Sequence, residues 1–476
     1  MNRSKEDLLR DSMARVPRQS DVIPKTIEVT ERRFNSRSFS SPFVLIAVFL
    51  GLVAIGTILL MAPFSHHENA LSNLPVALFT ATSAVTVTGL TLVDTAEHWT
   101  KMGQFVILCL MFVGGLGFMS LAAFSLAILG QRVSIRQRLL IRESLGREEL
   151  GGLRLLSISI VTTAVGIQLV GAVALFSRFI LKYDLMEAIW YSVFHSISGF
   201  NNAGLFVFSE PGGFSYFQND PIVLMMMGVL IILGSLSYLV IGDVVTKRRF
   251  KLFSLTAKIV TAMTLILIFV SAGMFLISEG NNMGTIGSLS FAEKMYVALF
   301  ESISGRTAGF TTIDYSMARP ATDVFMSVMM FVGGASGSVA GGIKVTTFLV
   351  IILSILAVIN ERPHVSVFGR EIDAATTRRS YAVLIVSFGF IIIGVFLLAL
   401  TNNALPLSDV IFESVSAYGT VGLSVGTARE LNIIGQLIIT MMMFVGRIGP
   451  LIIGLRMVPN RESETYRSAS ETVTIG

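Results

Sequence analysis

Residues 77–90 read ALFTATSAVTVTGL, and three further stretches share their build: SVFHSISGFNNAGL (192–205), ALFESISGRTAGF (298–310) and VIFESVSAYGTVGL (410–423). Each has a phenylalanine, then a serine-rich helical turn or two, then a short polar segment ending in Gly and Leu or Phe. From Phe79, Phe194 and Phe412 the closing glycine lies ten residues on; from Phe300 it lies nine, so the third copy is one residue shorter. A second marker follows each copy: GGLGF (114–118), GSLSY (234–238), GGASG (333–337) and GRIGP (446–450). It begins 25, 30, 24 and 24 residues after the closing glycine. Two correlated markers recurring four times in order define an internal repeat: helix, short re-entrant helix, glycine-bearing loop, helix.

Composition sets these repeats in a membrane. The chain is 53% hydrophobic and 14% charged, against roughly 25% charged in soluble domains. Apolar runs of about 20 residues, enough to cross a bilayer core of about 30 Å, fit 43–62, 103–127, 154–181, 221–242, 255–278, 321–359, 381–401 and 431–455. The expected fold is an all-α polytopic membrane protein with eight spans, its four repeats arranged around a central pore. The divisions are a tail (1–42), repeat 1 (43–130), a basic connection (131–153), repeat 2 (154–246), repeat 3 (247–360), a second connection (361–380), repeat 4 (381–457) and a C-terminal tail (458–476). Basic residues choose the orientation: Arg132, Arg136, Arg138, Arg142, Arg147 and Arg154, then Lys247, Arg248, Arg249 and Lys251, then Arg362, Arg370, Arg378 and Arg379. By the positive-inside bias these connections and both tails face the cytoplasm of a plasma-membrane protein. Trp99 and Trp190 read as anchors at the outer interface. The net charge of +5 reflects this orientation. Without aromatic residues among the charges it does not suggest nucleic-acid binding. One cysteine and five scattered histidines offer no metal-ligand or catalytic spacing, so neither an enzyme nor a cofactor is expected.

The glycine-ended loops suggest a chemistry. They are Thr86-Val87-Thr88-Gly89, Asn201-Asn202-Ala203-Gly204, Thr307-Ala308-Gly309 and Gly419-Thr420-Val421-Gly422. Glycine reaches φ > 0 without steric penalty and lets successive carbonyls turn toward one axis, where they replace an ion's hydration shell. No Asp or Glu lies in the four loops. Divalent sites usually recruit carboxylates, so a neutral carbonyl ring suits a monovalent cation. Glu301 and Glu413 follow Phe300 and Phe412, where the other copies have Thr80 and His195. They could supply a cation-attracting field, or hydrogen bonds that orient the re-entrant helices; the second is the simpler reading.

The four loops, GGIKVTTF (341–348) and GRIGP together resemble the TrkH/KtrB/HKT superfamily of potassium transporters, most closely its KtrB branch, over about residues 43–455. The resemblance implies that the four loops form a K+ selectivity filter, Gly89 favouring potassium over sodium. It implies uptake that is often Na+-stimulated, a homodimer, and a cytosolic ring of nucleotide-binding, RCK-type (KtrA-like) regulatory subunits. The chain has no Gly-x-Gly-x-x-Gly loop of its own, consistent with a separate regulator.

The third marker sits in a break. Residues 321–359 as one helix would measure about 58 Å at about 1.5 Å per residue, nearly twice the apolar core. Gly333, Gly334, Gly337, Gly341 and Gly342 together disfavour a continuous helix by about 5 kcal/mol, at about 1 kcal/mol each. In family terms 333–344 is an intramembrane gating loop under the filter. Lys344 either snorkels to the interface or takes part in gating. Arg447, deep in the last span, is read as pore-facing. Arg306 caps its short helix or pairs with Glu301 or Asp314. For GGLGF and GSLSY, close helix packing is the plainer reading. The competing function is a secondary transporter of a small solute, whose broken helices usually belong to two inverted halves; a non-conducting assembly subunit is a third.

Overall fold

The computed structural model describes residues 42–67, 73–117, 153–210 and 212–456. The expected N-terminal tail, the continuation of the second span with most of the first basic connection (118–152), and the C-terminal tail lie outside the described residues. The helices run as four triplets. The first is α1 (Pro42–Met61), α2 (Leu74–Thr86) and α3 (Lys101–Leu116); the second is α4 (Leu153–Phe179), α5 (Leu185–Phe200) and α6 (Pro221–Ser235), followed by α7 (Tyr238–Lys247). The third is α8 (Leu255–Glu279), α9 (Phe291–Thr307) and α10 (Pro320–Phe331), followed by α11 (Val345–Ile359); the fourth is α12 (Ala374–Thr401), α13 (Leu407–Gly419) and α14 (Ile433–Arg456). The other regular elements are short turns and a two-stranded hairpin, Ser366–Val367 with Arg370–Glu371, before α12.

Burial sorts these helices by length. The middle helices have 13, 16, 17 and 13 residues, so at about 1.5 Å per residue they reach about 20–26 Å and fall short of a bilayer. They hold the core. Nearly every residue from Phe79 to Thr86 is buried, and the leading phenylalanines Phe79, Phe194, Phe300 and Phe412 are at most 2% exposed. The rim is inverted: α12 buries few side chains while Ile385, Phe388, Phe396 and Leu400 are exposed. Such a continuous apolar exterior belongs against lipid. Ile158–Phe179, Leu255–Glu279 and Ala374–Thr401 are each long and apolar enough to cross a bilayer, and the chain is a multi-pass membrane protein.

Two expectations need correction. The span predicted at 221–242 is not straight: α6 ends at Ser235 and the chain turns 104° into the following helix. The break foreseen for the third marker therefore has a counterpart at the second, where Leu236 is extended and Ser237 precedes the new helix. In the first triplet α3 likewise stops at its marker, with Gly117 at φ 75°. Trp99 is not an interfacial anchor, being fully buried and bridged through its backbone to His66. Trp190 is half-buried, its indole N–H donating to Gln104 Oε1 at 2.9 Å.

Candidate ion-conduction site

Each middle helix ends in the same local device. In three copies the residue two before the closing glycine is left-handed: Val87 (φ 56°), Asn202 (φ 54°) and Thr420 (φ 49°). For the β-branched Val87 and Thr420 this conformation is rare and costs on the order of 1–3 kcal/mol, whereas asparagine adopts it more readily. It turns the chain out of the helix. The third copy lacks this residue: α9 continues through Thr307 and Ala308 has φ −126°. The missing residue noted in the sequence is thus the left-handed one. A serine six residues before the glycine, five in the third copy, holds the turn. Ser83, Ser198 and Ser416 accept through their carbonyls from Thr88 N (2.8 Å), Ala203 N (2.8 Å) and Val421 N (3.0 Å), and Ser304 accepts from Gly309 N (3.0 Å). Two serine hydroxyls also take the glycine N–H, Ser83 from Gly89 (3.0 Å) and Ser416 from Gly422 (3.1 Å).

With the N–H groups held from behind, the carbonyls of Thr88, Ala203, Ala308 and Val421 accept no hydrogen bond from any described residue. These four oxygens and the four glycines close a ring. A Cβ added to Gly89 would stand 2.6 Å from Ala203 O, and one on Gly204 2.5 Å from Ala308 O. One on Gly309 would strike Val421 O, and one on Gly422 would strike Thr88 O. Each glycine thus abuts the next copy in chain order, and the fourth returns to the first. All four have positive φ, 93°, 67°, 73° and 97°. Glycine is required twice over, by backbone conformation and by space. Asn202 ties two copies: oriented so that its amide N donates to Ile231 O and Gly199 O (both 3.1 Å), its oxygen accepts from Thr307 Oγ1 (3.2 Å).

Beyond the ring lies a cavity of about 450 Å³ lined by all four glycines and by the residues that follow them, among them Thr91, Phe206, Asp314 and Ser424. In three of the four copies the buried group one residue after the leading phenylalanine holds the outer segment. Glu301 accepts from Thr312 N (2.6 Å), Thr312 Oγ1 (2.8 Å), Thr311 Oγ1 (3.2 Å) and Tyr315 OH (3.1 Å). Glu413 accepts from Ser424 Oγ and from Ala428 N (3.3 Å), and His195 Nε2 accepts from Val207 N (3.3 Å). These contacts fit an orienting role. Thr80 Oγ1, the fourth member, has no partner among the described residues. Arg306 departs from expectation: it is 3% exposed, pairs with neither Glu301 nor Asp314, and its Nε and Nη1 are unpartnered among the described residues.

The break at 332–344 faces the residues before a ring glycine. A Cβ on Gly341 would meet the Thr420 side chain and stand 3.1 Å from Gly419 O. The cavity faces the residues after the glycines, so the ring separates cavity from loop. Gly333 N donates to Ile343 O (2.9 Å), closing the loop on itself, while Ala335 N and Val339 N donate to Ser235 O (3.0 Å) and Gly234 O (3.2 Å) at the end of α6. The second marker's carbonyls, orphaned by the helix end, are thereby satisfied by the third marker's loop. Arg447 reaches from α14, Nη1 donating to Val339 O and Nη2 to Gly114 O (3.0 Å). The loop is thus tied directly to α6 and α14, and Arg447 in turn anchors to the end of α3. Lys344 folds back, Nζ donating to Ala340 O at 2.5 Å; its ammonium is tied to the loop instead of reaching away from it. Gly337 and Gly342, at φ 76° and 64°, make the turns.

The packing reading of the other markers has a geometric basis. A Cβ on Gly114, Gly234 or Gly446 would strike the carbonyl of Val85, Phe200 or Tyr418, in each case the residue four before the ring glycine. Sequence reasoning missed Asn202 as a cross-link and Arg429 as a cavity-lining residue. A lone polar residue carries no spacing signal that would reveal either.

Comparison with known proteins places the chain in a family. The family model "TrkH: Cation transport protein" matches residues 25–466. The Ktr system potassium uptake protein B of Bacillus subtilis (strain 168) is 37% identical over 92% of this chain and 97% of its own length. The protein of the same name from Vibrio alginolyticus is 37% identical over 91% of this chain and 95% of its own. The potassium/sodium uptake protein NtpJ of Enterococcus hirae is 35% identical over 92% and 97%. The crystal structure of the potassium transporter TrkH from Vibrio parahaemolyticus superposes with a TM-score of 0.69 at 17% identity, covering 90% of this chain and 87% of that one, a likeness of fold. The chain belongs to the TrkH family of cation transport proteins.

Proposed function

We propose that the protein is the potassium-translocating subunit of a Ktr-type uptake system, passing K+ through the ring formed by residues 86–89, 201–204, 307–309 and 419–422. The observation that carries this is the closed ring itself: four glycines abutting in chain order with unpartnered carbonyls beside them. Four short helices end at the ring, and each C-terminus brings a partial negative charge of about half a unit toward a passing cation. Ring oxygens replace hydration water, and the absence of carboxylates from the ring suits a monovalent ion. The loop at 333–344, with Gly333, Gly334, Gly337, Gly341, Gly342 and Lys344, obstructs the path beneath the ring, and Arg447 both pins it and opposes cations there. Displacement of the loop opens the path.

The relatives' names, Ktr system proteins and a potassium/sodium uptake protein, together with the sequence resemblance, support three further parts of the reading. These are a homodimer, an RCK-type cytosolic ring that sets the loop's position, and stimulation by Na+. Both termini are cytoplasmic by the charge bias. The test is selectivity. Purified protein in liposomes should take up K+ in preference to Na+, and Gly422→Ser, strained at φ 97° and colliding with Thr88 O, should lower that preference at least severalfold. Unchanged selectivity would overturn the ring as the filter.

A further inference from the structure

The two buried carboxylates that brace the outer segments leave different charges on the wall of the outer cavity. Glu301 holds the 311–315 segment, which carries Asp314; Glu413 holds the 424–428 segment, which leads into Arg429. Both residues line the cavity above the ring, and among the described residues they are its charged lining, since the first two triplets contribute residues such as Leu90, Thr91, Phe206 and Ser215. Both are exposed, and no ion pair among the described residues engages either. Asp314 makes one local bond, accepting from Ser316 N at 2.9 Å.

We infer that Arg429 is a valence screen at the outer mouth, opposing Asp314 so that the cavity does not concentrate divalent cations above the ring. This rests on the conduction reading above. A cation entering the ring must first occupy this cavity, and occupancy depends exponentially on ion charge times local potential. The ring suits passage of a monovalent ion, but a doubly charged ion of similar radius gains more from the same dipoles and would lodge there as a blocker instead of passing. Asp314 alone would aggravate this by attracting a divalent ion with the square of the factor by which it attracts K+. At roughly 8 Å in water, a separation fitting a cavity of this size, one wall charge changes monovalent occupancy about 2.4-fold and divalent occupancy about sixfold. Arg429 restores the balance at a modest loss of K+ access. Its place at the exposed end of the short turn Thr427–Glu430, whose first two residues are buried, keeps it clear of the ring backbone.

The experiment compares wild type, Arg429→Gln, Asp314→Asn and the double variant in K+-loaded liposomes, with K+ flux measured at subsaturating K+ and with external Ba2+ as the divalent probe. At about 10 mM ionic strength, where the screening length is about 30 Å, Arg429→Gln should raise K+ flux about twofold. It should also lower the Ba2+ concentration for half-inhibition about sixfold. Asp314→Asn should move both the opposite way, the double variant should return near wild type, and K+/Na+ preference should not change. At about 1 M salt from an impermeant electrolyte, where the screening length is about 3 Å, the differences should largely vanish. Unchanged Ba2+ sensitivity in Arg429→Gln, equal effects on the two ions, or effects that persist at high salt would overturn the screen while leaving K+ conduction intact. Wild-type liposomes without K+ flux would overturn the conduction reading and the screen together.

Discussion

An alanine at Gly89 would have to hold φ near 93° and place its Cβ 2.6 Å from the Ala203 carbonyl. An alanine at Gly273, inside α8, would meet nothing within 4 Å. The two substitutions should therefore separate in sign. Gly273→Ala removes the entropy cost of a helical glycine and should raise thermal stability by about 0.5–1 kcal/mol. Gly89→Ala should lower stability by at least about 1–2 kcal/mol from the left-handed backbone alone, and should abolish or derange K+ flux. Thermal unfolding of detergent-purified protein together with liposome flux would check both. Equal behaviour at the two sites would contradict the ring geometry. Glu301 makes a parallel case at this scale. Its carboxylate takes hydrogen bonds from Thr311, Thr312 and Tyr315, so Glu301→Ala strands several buried donors at about 1–3 kcal/mol each. Its expected outcome is a protein of markedly lower melting temperature.

At the scale of the element, the proposed gate is the loop between α10 and α11. Its backbone bonds run to Gly234 and Ser235 of α6, and Arg447 clamps Val339 to Gly114. Hydrogen bonds from a charged donor are worth about 1.5–3 kcal/mol each, so Arg447→Ala releases a substantial share of what holds the loop and removes a positive charge from the path. Arg447→Ala should raise ungated K+ flux, and deletion of Ala335 to Ala340 should raise it further; unidirectional K+ flux into liposomes without regulatory subunits reads both. Flux at or below wild type in the deletion would exclude obstruction by the loop. The glycines that mark this element were legible as a helix break from the sequence. Its attachment points were not, because the bond from Ala335 to Ser235 spans about 100 positions and those from Arg447 to Val339 and Gly114 span 108 and 333, with no periodic pattern between them.

At the scale of the whole molecule, an apolar rim surrounds a core of short helices, and a Phe250–Phe368 ring contact joins the two described basic connections. Orientation is testable in a background where the single cysteine has been changed, Cys109→Ser. Met283→Cys, in the exposed segment after α8, should react with a membrane-impermeant maleimide in intact cells. Phe368→Cys, in the hairpin between Arg362 and Arg378, should react only after permeabilisation. The reverse pattern would invert the topology and move the cavity to the cytoplasmic side.

From the sequence by itself came the membrane setting, the four correlated markers, the placement of four glycines and the break at 333–342. Each of these is written in local composition or in spacing along the chain, and hydropathy and glycine conformation act within a few residues. Only the tertiary structure decided that the four loops meet in chain order as one ring, and that the span at α6 also breaks. It likewise decided that Trp99 is buried, that Arg306 finds none of its expected partners, and that Asp314 and Arg429 share one cavity. Those outcomes depend on which distant backbone atoms come within a few ångströms of one another, a matter settled by close packing of the short helices against α3, α6 and α14.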